Sequence, residues 1–180
     1  MENDVILHQG NYLTLSVDPH GYERVTDRTG HVIAILPFLE KEDEILLGVR
    51  WEPRSAWGTD PNVEFMSSIT GGVEEGEDPF QAAKRELLEE AGIEIDLEDL
   101  LPLGKIHAAK CIDTTYHLFA VDITEIGGLP TNGKTDGSKG ESLAHNELVD
   151  LGTFIQESDD AILLALASRL QKLFADIETN

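Results

Sequence analysis

The chain has 180 residues, 41% of them apolar, enough for one domain with a real core rather than a disordered polymer. Its 35 acidic against 13 basic residues give a formal net charge of −22, which argues against nucleic acid or an anionic membrane as partner. A lone cysteine, Cys111, excludes an internal disulfide and a cysteine-rich zinc site. With no signal-like N-terminus and no apolar run near ~18 residues, a soluble, cytoplasmic protein is expected.

The first half reads as strands and turns. YLTLSV (Tyr12 to Val17) alternates apolar and polar residues, as a half-buried strand does. YERVT (Tyr22 to Thr26) and HVIAILPFL (His31 to Leu39) flank DRTG, where Gly30 suits a turn, and a hairpin is expected there. EILLGVRW (Glu44 to Trp51) follows the charged turn EKED and forms a second hairpin with the strand before it. VEFMSSIT (Val63 to Thr70) is a weaker strand. After Gly92 come two more strands, around Leu101 to Cys111 and Thr115 to Thr124. Gly127 to Gly140 is loop-like, and ELVDLG (Glu147 to Gly152) is a short strand or turn. From Ser158 onward Ile162, Leu163, Leu166, Leu170, Leu173 and Phe174 recur at helical spacing. Many strands, two helices and no βαβ rhythm predict a mixed α/β sandwich.

The helix between the two halves, Asp78 to Ala91, is the most specified element. Asp78 is a good N-cap, Pro79 suits the first helical position, Gln81 completes a capping box and Gly92 supplies the stop. Its last turns hold Glu86, Glu89 and Glu90, three and four residues apart and therefore on neighbouring rows of one face. Like charges at that spacing cost an isolated helix ~0.2–0.5 kcal/mol per pair. Their place at the negative end of the dipole adds ~0.3–1 kcal/mol per charge. Arg85, four residues before Glu89, offsets only part of this. The run reads either as a solvated charged face or as a platform for a hard divalent cation such as Mg²⁺, which takes oxygen ligands. A cation there would also reverse the repulsion that so acidic a surface exerts on a phosphorylated molecule.

Gly71, five residues, Glu77, seven residues, then Arg85-Glu86-Leu87, one residue, Glu89-Glu90, one residue and Gly92-Ile93 is the spacing G-x5-E-x7-R-E-U-x-E-E-x-G-U. This resembles the Nudix box without a mismatch, and the surrounding order of elements is similar to a Nudix domain over residues 31 to 175. The resemblance implies the Nudix fold, an α/β/α sandwich with a mixed sheet, across residues 31–180 with the C-terminal helix. Residues 1–30 would form a short N-terminal β extension. It implies hydrolysis of a nucleoside diphosphate linked to another moiety X, with Mg²⁺ or Mn²⁺ as cofactor. On this reading Glu86 and Glu90 are principal metal ligands, Glu89 is a further ligand or a base, and Gly71 offers its carbonyl. Arg85 pairs with Glu77 and holds the loop against the helix.

The run YERVTDRTGHVIAILPFLEKEDEILLGVRW is similar to the opening of ADP-ribose and nucleotide-sugar pyrophosphatases, in which the N-terminal segment often serves dimerisation. A homodimer acting on ADP-ribose or a nucleotide sugar is therefore expected. FMSSITG stands where that group has an ELPAG-like run, and its Ser-Pro-Gly segment after the box is absent. A nucleoside-triphosphate pyrophosphohydrolase is the alternative, and a non-catalytic nucleotide sensor or an isopentenyl diphosphate isomerase ranks lower because every box glutamate is present. In the resembled group a glutamate in a late loop often serves as base, which makes Glu141, then Glu147, the candidates here.

Arg50 and Arg54 are candidate phosphate or ribose contacts, since arginines are scarce in this chain. Trp51 and Trp57 can stack on a base or brace a hairpin. His107, His117, Lys134 and Lys139 read more simply as structural or solvated side chains. Cys111 reads as a core thiol.

Overall fold

The computed structural model describes residues 4–27, 30–42, 44–53, 63–130 and 144–178. The expected contacts from Arg54 and Trp57, the loop residues Lys134 and Lys139, and the candidate base Glu141 lie outside the described residues.

Among the described residues there are two sheets and three α-helices. Strands β1 (Val5–Gln9), β2 (Leu13–Val17) and β3 (Glu23–Asp27) form an antiparallel three-stranded sheet in that order. The large mixed sheet runs β10 (His145–Val149), β5 (Glu44–Pro53), β4 (His31–Lys41), β9 (Thr115–Asp122), β8 (Leu100–His107). Two short strands branch from it, β6 (Glu64–Ser67) beside β5 and β7 (Ile69–Gly72) beside β4.

Strand β4 explains the layering. Its apolar run is nearly continuous because both faces are covered, as a central strand paired in parallel requires. Ile33 and Ile35 pack toward α1 (Pro79–Ala91), with Ala82, Ala83, Leu87, Phe119 and Val121. Ala34, Leu36 and Phe38 point the other way, onto α2 (Leu151–Glu157) and α3 (Ala161–Glu178), with Phe154, Leu163, Leu166 and Leu170. This is an α/β/α sandwich, and the helical face expected in the C-terminal segment is the face that packs. Pro37, which has no N–H to donate, sits where β4 changes partner: residues 32–35 pair with β7 and residues 38–41 with β5.

Three local expectations are corrected. The segments on either side of Gly30 are not a hairpin: β3 pairs with β2, while β4 pairs with β5, β7 and β9. Gly30 does take a positive φ of 73°, but the turn passes the chain from one sheet to the other. The weak strand from Val63 is two strands that hand over from β5 to β4. The residues after Val149 form a third helix, α2, whose N-cap Asp150 accepts hydrogen bonds from the Gly152 and Thr153 amides.

The small sheet is joined to the large one through β3. The Val25 amide donates to the Cys111 carbonyl, the Asp113 amide donates to the Val25 carbonyl, and Arg24 forms ion pairs with Asp4 and Asp113. Cys111 is therefore held by its backbone in the β8–β9 connection, and its side chain is exposed rather than a core thiol. It lines a groove of about 670 Å³ shared with Arg24, His107 and Lys110. His107 is also exposed, its ring beside the Thr114 carbonyl, and the buried His117 contacts His31 across β9 and β4. Among the described residues no helix is long and apolar enough to cross a membrane.

Candidate active site

Helix α1 carries the acidic run, and its ends are fixed as the sequence requires. Asp78 accepts from the Phe80 amide, Gln81 closes the capping box, and Gly92 ends the helix at φ 67° in the left-handed region. The last turn contains no basic residue, so no cation within that turn offsets the carboxylates there.

The compensation comes from the preceding turn. Arg85 forks onto Glu77, with Nε to Oε1 and Nη2 to Oε2 both at 3.1 Å. Its Nη2 also donates to the Gly72 carbonyl at 3.0 Å. Its Nη1 reaches Glu86 Oε1 at 2.6 Å and Glu89 Oε2 at 3.2 Å. Arg85 thus staples the β7–α1 loop to the helix and places positive charge between two box carboxylates. These bonds hold the Glu77 carboxyl below the ordinary range and the Arg85 guanidinium above its own.

Glu86 and Glu90 occupy the buried side of the same face. Burial raises the Glu86 carboxyl, with Glu89 and Glu77 adding to the shift and Arg85 opposing it. Glu90 is pushed up to about 8, first by burial and then by Glu86 and Glu52, against the pull of Arg50 and a Thr70 backbone hydrogen bond. One oxygen of Glu90, Oε2, is buried without a hydrogen-bond partner. Gly71, on β7, lies directly against Glu86; a Cβ at residue 71 would overlap the Glu86 Cγ and Cδ atoms.

Behind Glu90 lies a polar network. Arg50 is only 4% exposed. Its Nε is 3.8 Å from Glu90 Oε2 and 4.0 Å from Glu52 Oε2, and its Nη1 donates to the Glu90 carbonyl. Ser67 donates to Glu52, whose carboxyl is raised mainly by burial. Asn146, buried and opposite Arg50 across β10 and β5, donates to the same Glu90 carbonyl. Glu52, Ser67 and Asn146 were not singled out in the sequence. Glu52 had a signal, because it follows Arg50 by two residues and so shares its side of the strand. Asn146 had none, since only strand register brings it there.

Trp51 and Glu147 belong together but apart from this face. The Trp51 indole donates to Glu147 Oε2 at 2.8 Å, and Trp51 packs against the α2–α3 core. They do not join the box carboxylates.

A divalent cation fits the donor set that is present. Glu86 and Glu90 offer hard oxygen atoms, burial raises both carboxyls, and Glu90 Oε2 accepts no hydrogen bond, with Arg50 Nε 3.8 Å away. Among the described residues no three acidic, histidine or cysteine side chains are grouped closely enough to hold a metal ion, so Glu86, Glu89 and Glu90 do not converge on one point.

The family profile described as the NUDIX domain matches residues 29–163. The chain belongs to the NUDIX domain family. The Nudix box residues are those whose geometry is given above, and the protein is a hydrolase of this family, acting on pyrophosphate bonds. Two solved structures share the fold. An ADP compounds hydrolase is 18% identical at TM-score 0.61, covering 95% of this chain and 93% of its own. A C. elegans Ap4A hydrolase is 18% identical at TM-score 0.54, covering 81% of this chain and 98% of its own. No curated relative matches the chain in sequence.

Proposed function

We propose that this Nudix protein cleaves the pyrophosphate bond of ADP-ribose or a related nucleotide sugar, with Mg²⁺ or Mn²⁺, to give two monophosphates. The observation that carries the reading is the part-buried pair Glu86 and Glu90, with Glu86 packed against Gly71 and Glu90 Oε2 accepting no hydrogen bond. Support for the substrate class comes from the likeness, over nearly the whole chain, to a protein named for ADP compounds.

Glu86, Glu90 and Glu89, with the Gly71 carbonyl, would hold the cation. When bound, it supplies charge to polarise a phosphoryl oxygen and activate water. Holding the cation would require both carboxylates ionised, so the burial that raises them would make metal affinity fall at lower pH. Arg85 and Glu77 keep the β7–α1 loop against the helix, so that Gly71 and Glu86 stay in register. The base is Glu89 or Glu141; Glu147 is the weaker candidate because its carboxylate is engaged by Trp51. Arg50 acts on the site through Glu90, and Arg54 is the candidate substrate contact; Trp51, on the opposite face of β5, is the weaker one. Val5, Ile6, Leu7, Tyr12 and Leu13 are exposed on the small sheet, which supports a homodimer formed through it.

The deciding experiment is a panel of ADP-ribose, nucleotide sugars, dinucleoside polyphosphates and nucleoside triphosphates, assayed with Mg²⁺ or Mn²⁺ by product analysis. ADP-ribose or a nucleotide sugar is expected to turn over fastest. Release of pyrophosphate from triphosphates alone would instead establish a triphosphate pyrophosphohydrolase.

A further inference from the structure

The carbonyl of Glu90 belongs to the last turn of α1 and has no partner inside the helix. It is gripped from outside by two donors, Asn146 Nδ2 at 2.9 Å and Arg50 Nη1 at 3.3 Å. The two donors are a cross-strand pair, Asn146 on β10 facing Arg50 on β5. Asn146 Nδ2 also donates to the Pro130 carbonyl at 3.2 Å, which ties the same point to the end of the described β9–β10 connection.

The last turn of a helix frays most easily, and here it carries adjacent glutamates with no basic residue of its own. Whatever fixes the Glu90 main chain therefore fixes the position of the Glu90 carboxylate. Asn146 is a costly way to fill space. It is only 2% exposed, and its own carbonyl oxygen is buried without a partner. Its amide serves two carbonyls, Glu90 and Pro130, so the side chain is held for its hydrogen bonds and not for its volume.

We infer that Asn146 is a positioning residue: its amide holds the end of α1 against the β5–β10 edge so that Glu86 and Glu90 present their carboxylates together to a divalent cation. This rests on the metal reading proposed above. It goes beyond that reading by assigning part of the metal affinity to a residue outside the Nudix box.

The test is Mn²⁺ titration of the metal-free full chain, following free Mn²⁺ by electron paramagnetic resonance, with melting recorded in parallel. The proteins compared are the wild type, Asn146→Leu, Asn146→Asp and Val149→Ala. Leu and Asp both remove the amide donors while keeping the approximate shape. Val149→Ala weakens the same strand at a buried residue paired with Leu47, away from Glu90. Loss of an orienting partner weakens metal affinity by ~10–100-fold, and a loss of that size is expected for both Asn146 variants. Val149→Ala is expected to melt lower and bind Mn²⁺ as the wild type does. Unchanged affinity in a folded Asn146→Leu protein overturns the inference, as does equal weakening in Val149→Ala. If Asn146→Leu does not fold, Asn146→Asp decides alone. A wild-type protein that takes up no Mn²⁺ overturns the metal reading itself, and the inference with it.

Discussion

Gly71 and Glu86 are packed so closely that residue 71 has no room for a Cβ. The atoms in the way are the Glu86 side chain, not the backbone, so a larger residue would be accommodated by turning Glu86 out of its place. Gly71→Ala is therefore expected to damage the metal site more than the fold. Its Mn²⁺ affinity should fall by at least the ~10-fold of a displaced orienting contact. Its melting temperature should change by only a few degrees, as for a loss of ~1 kcal/mol. Isothermal titration and a thermal melt on the same sample check both halves. A variant that melts far lower yet binds metal normally would show that Gly71 serves the strand rather than Glu86.

Glu90→Gln separates charge from shape. The amide keeps the side chain's size and its place beside Arg50 and Thr70 while removing the charge. Turnover should fall by more than the ~10–100-fold typical of changes one shell farther out. The metal-free variant should be no less stable than the wild type near pH 8, because a buried carboxylate repelled by Glu86 and Glu52 has gone. Steady-state kinetics with a urea melt reads the two effects, and undiminished turnover would remove Glu90 from the site.

The raised carboxyls give the metal-free protein an unusual pH dependence. The Glu90 carboxyl is pushed up to about 8 in the folded chain against 4.5 for an ordinary glutamate, so between those values the folded state binds more protons than the unfolded one. Stability must then fall as pH rises from about 4.5 to about 8, and level off above. Glu86 and Glu52 are shifted the same way. The lowered carboxyls of Glu77 and Asp150 act in the opposite sense, but their contribution is complete above the ordinary carboxylate range. The expected loss is on the order of 1–3 kcal/mol. Urea midpoints in EDTA across that range should show it, and Mg²⁺ or Glu90→Gln should flatten the profile. A stability that rises steadily to pH 8 in EDTA would contradict this account of Glu90.

What could be read from the sequence was what local chemistry determines. The cap at Asp78, the stop at Gly92 and the stripe of α3 act within a few residues, and each is found where the pattern placed it. The doubly covered strand β4 was visible as an apolar run, but its partners were not. Gly30 signals a turn and says nothing about whether the strands on either side pair, and here they join different sheets. The site divides in the same way. Glu77, Arg85, Glu86 and Glu89 act across one turn or one loop, so spacing exposes them. Asn146 reaches the Glu90 carbonyl, and Ser67 reaches Glu52, only because β10 and β6 both align on β5, a register set by the whole sheet. Trp51 and Glu147 show the converse: neighbours of Arg50 and Asn146 in sequence, they fall on the other face because a strand alternates.

The reach of Arg85 makes a last prediction possible. Its five donors engage Glu77, Gly72, Glu86 and Glu89 at once, and a lysine at this position has one compact ammonium that cannot fork. Arg85→Lys keeps the charge yet loses most of these bonds, and a hydrogen bond to a charged group contributes ~1.5–3 kcal/mol. A melting temperature lower by roughly 2–4 °C per kcal/mol lost is expected, together with reduced turnover. If the staple to Glu77 is the main contribution, Glu77→Gln should cost little more once Arg85 is already lysine, because two residues in one network do not add. A double-mutant cycle on melting temperature and turnover measures this directly. Additive losses would mean that Arg85 and Glu77 act separately, and that the loop is held against α1 by something other than their ion pair.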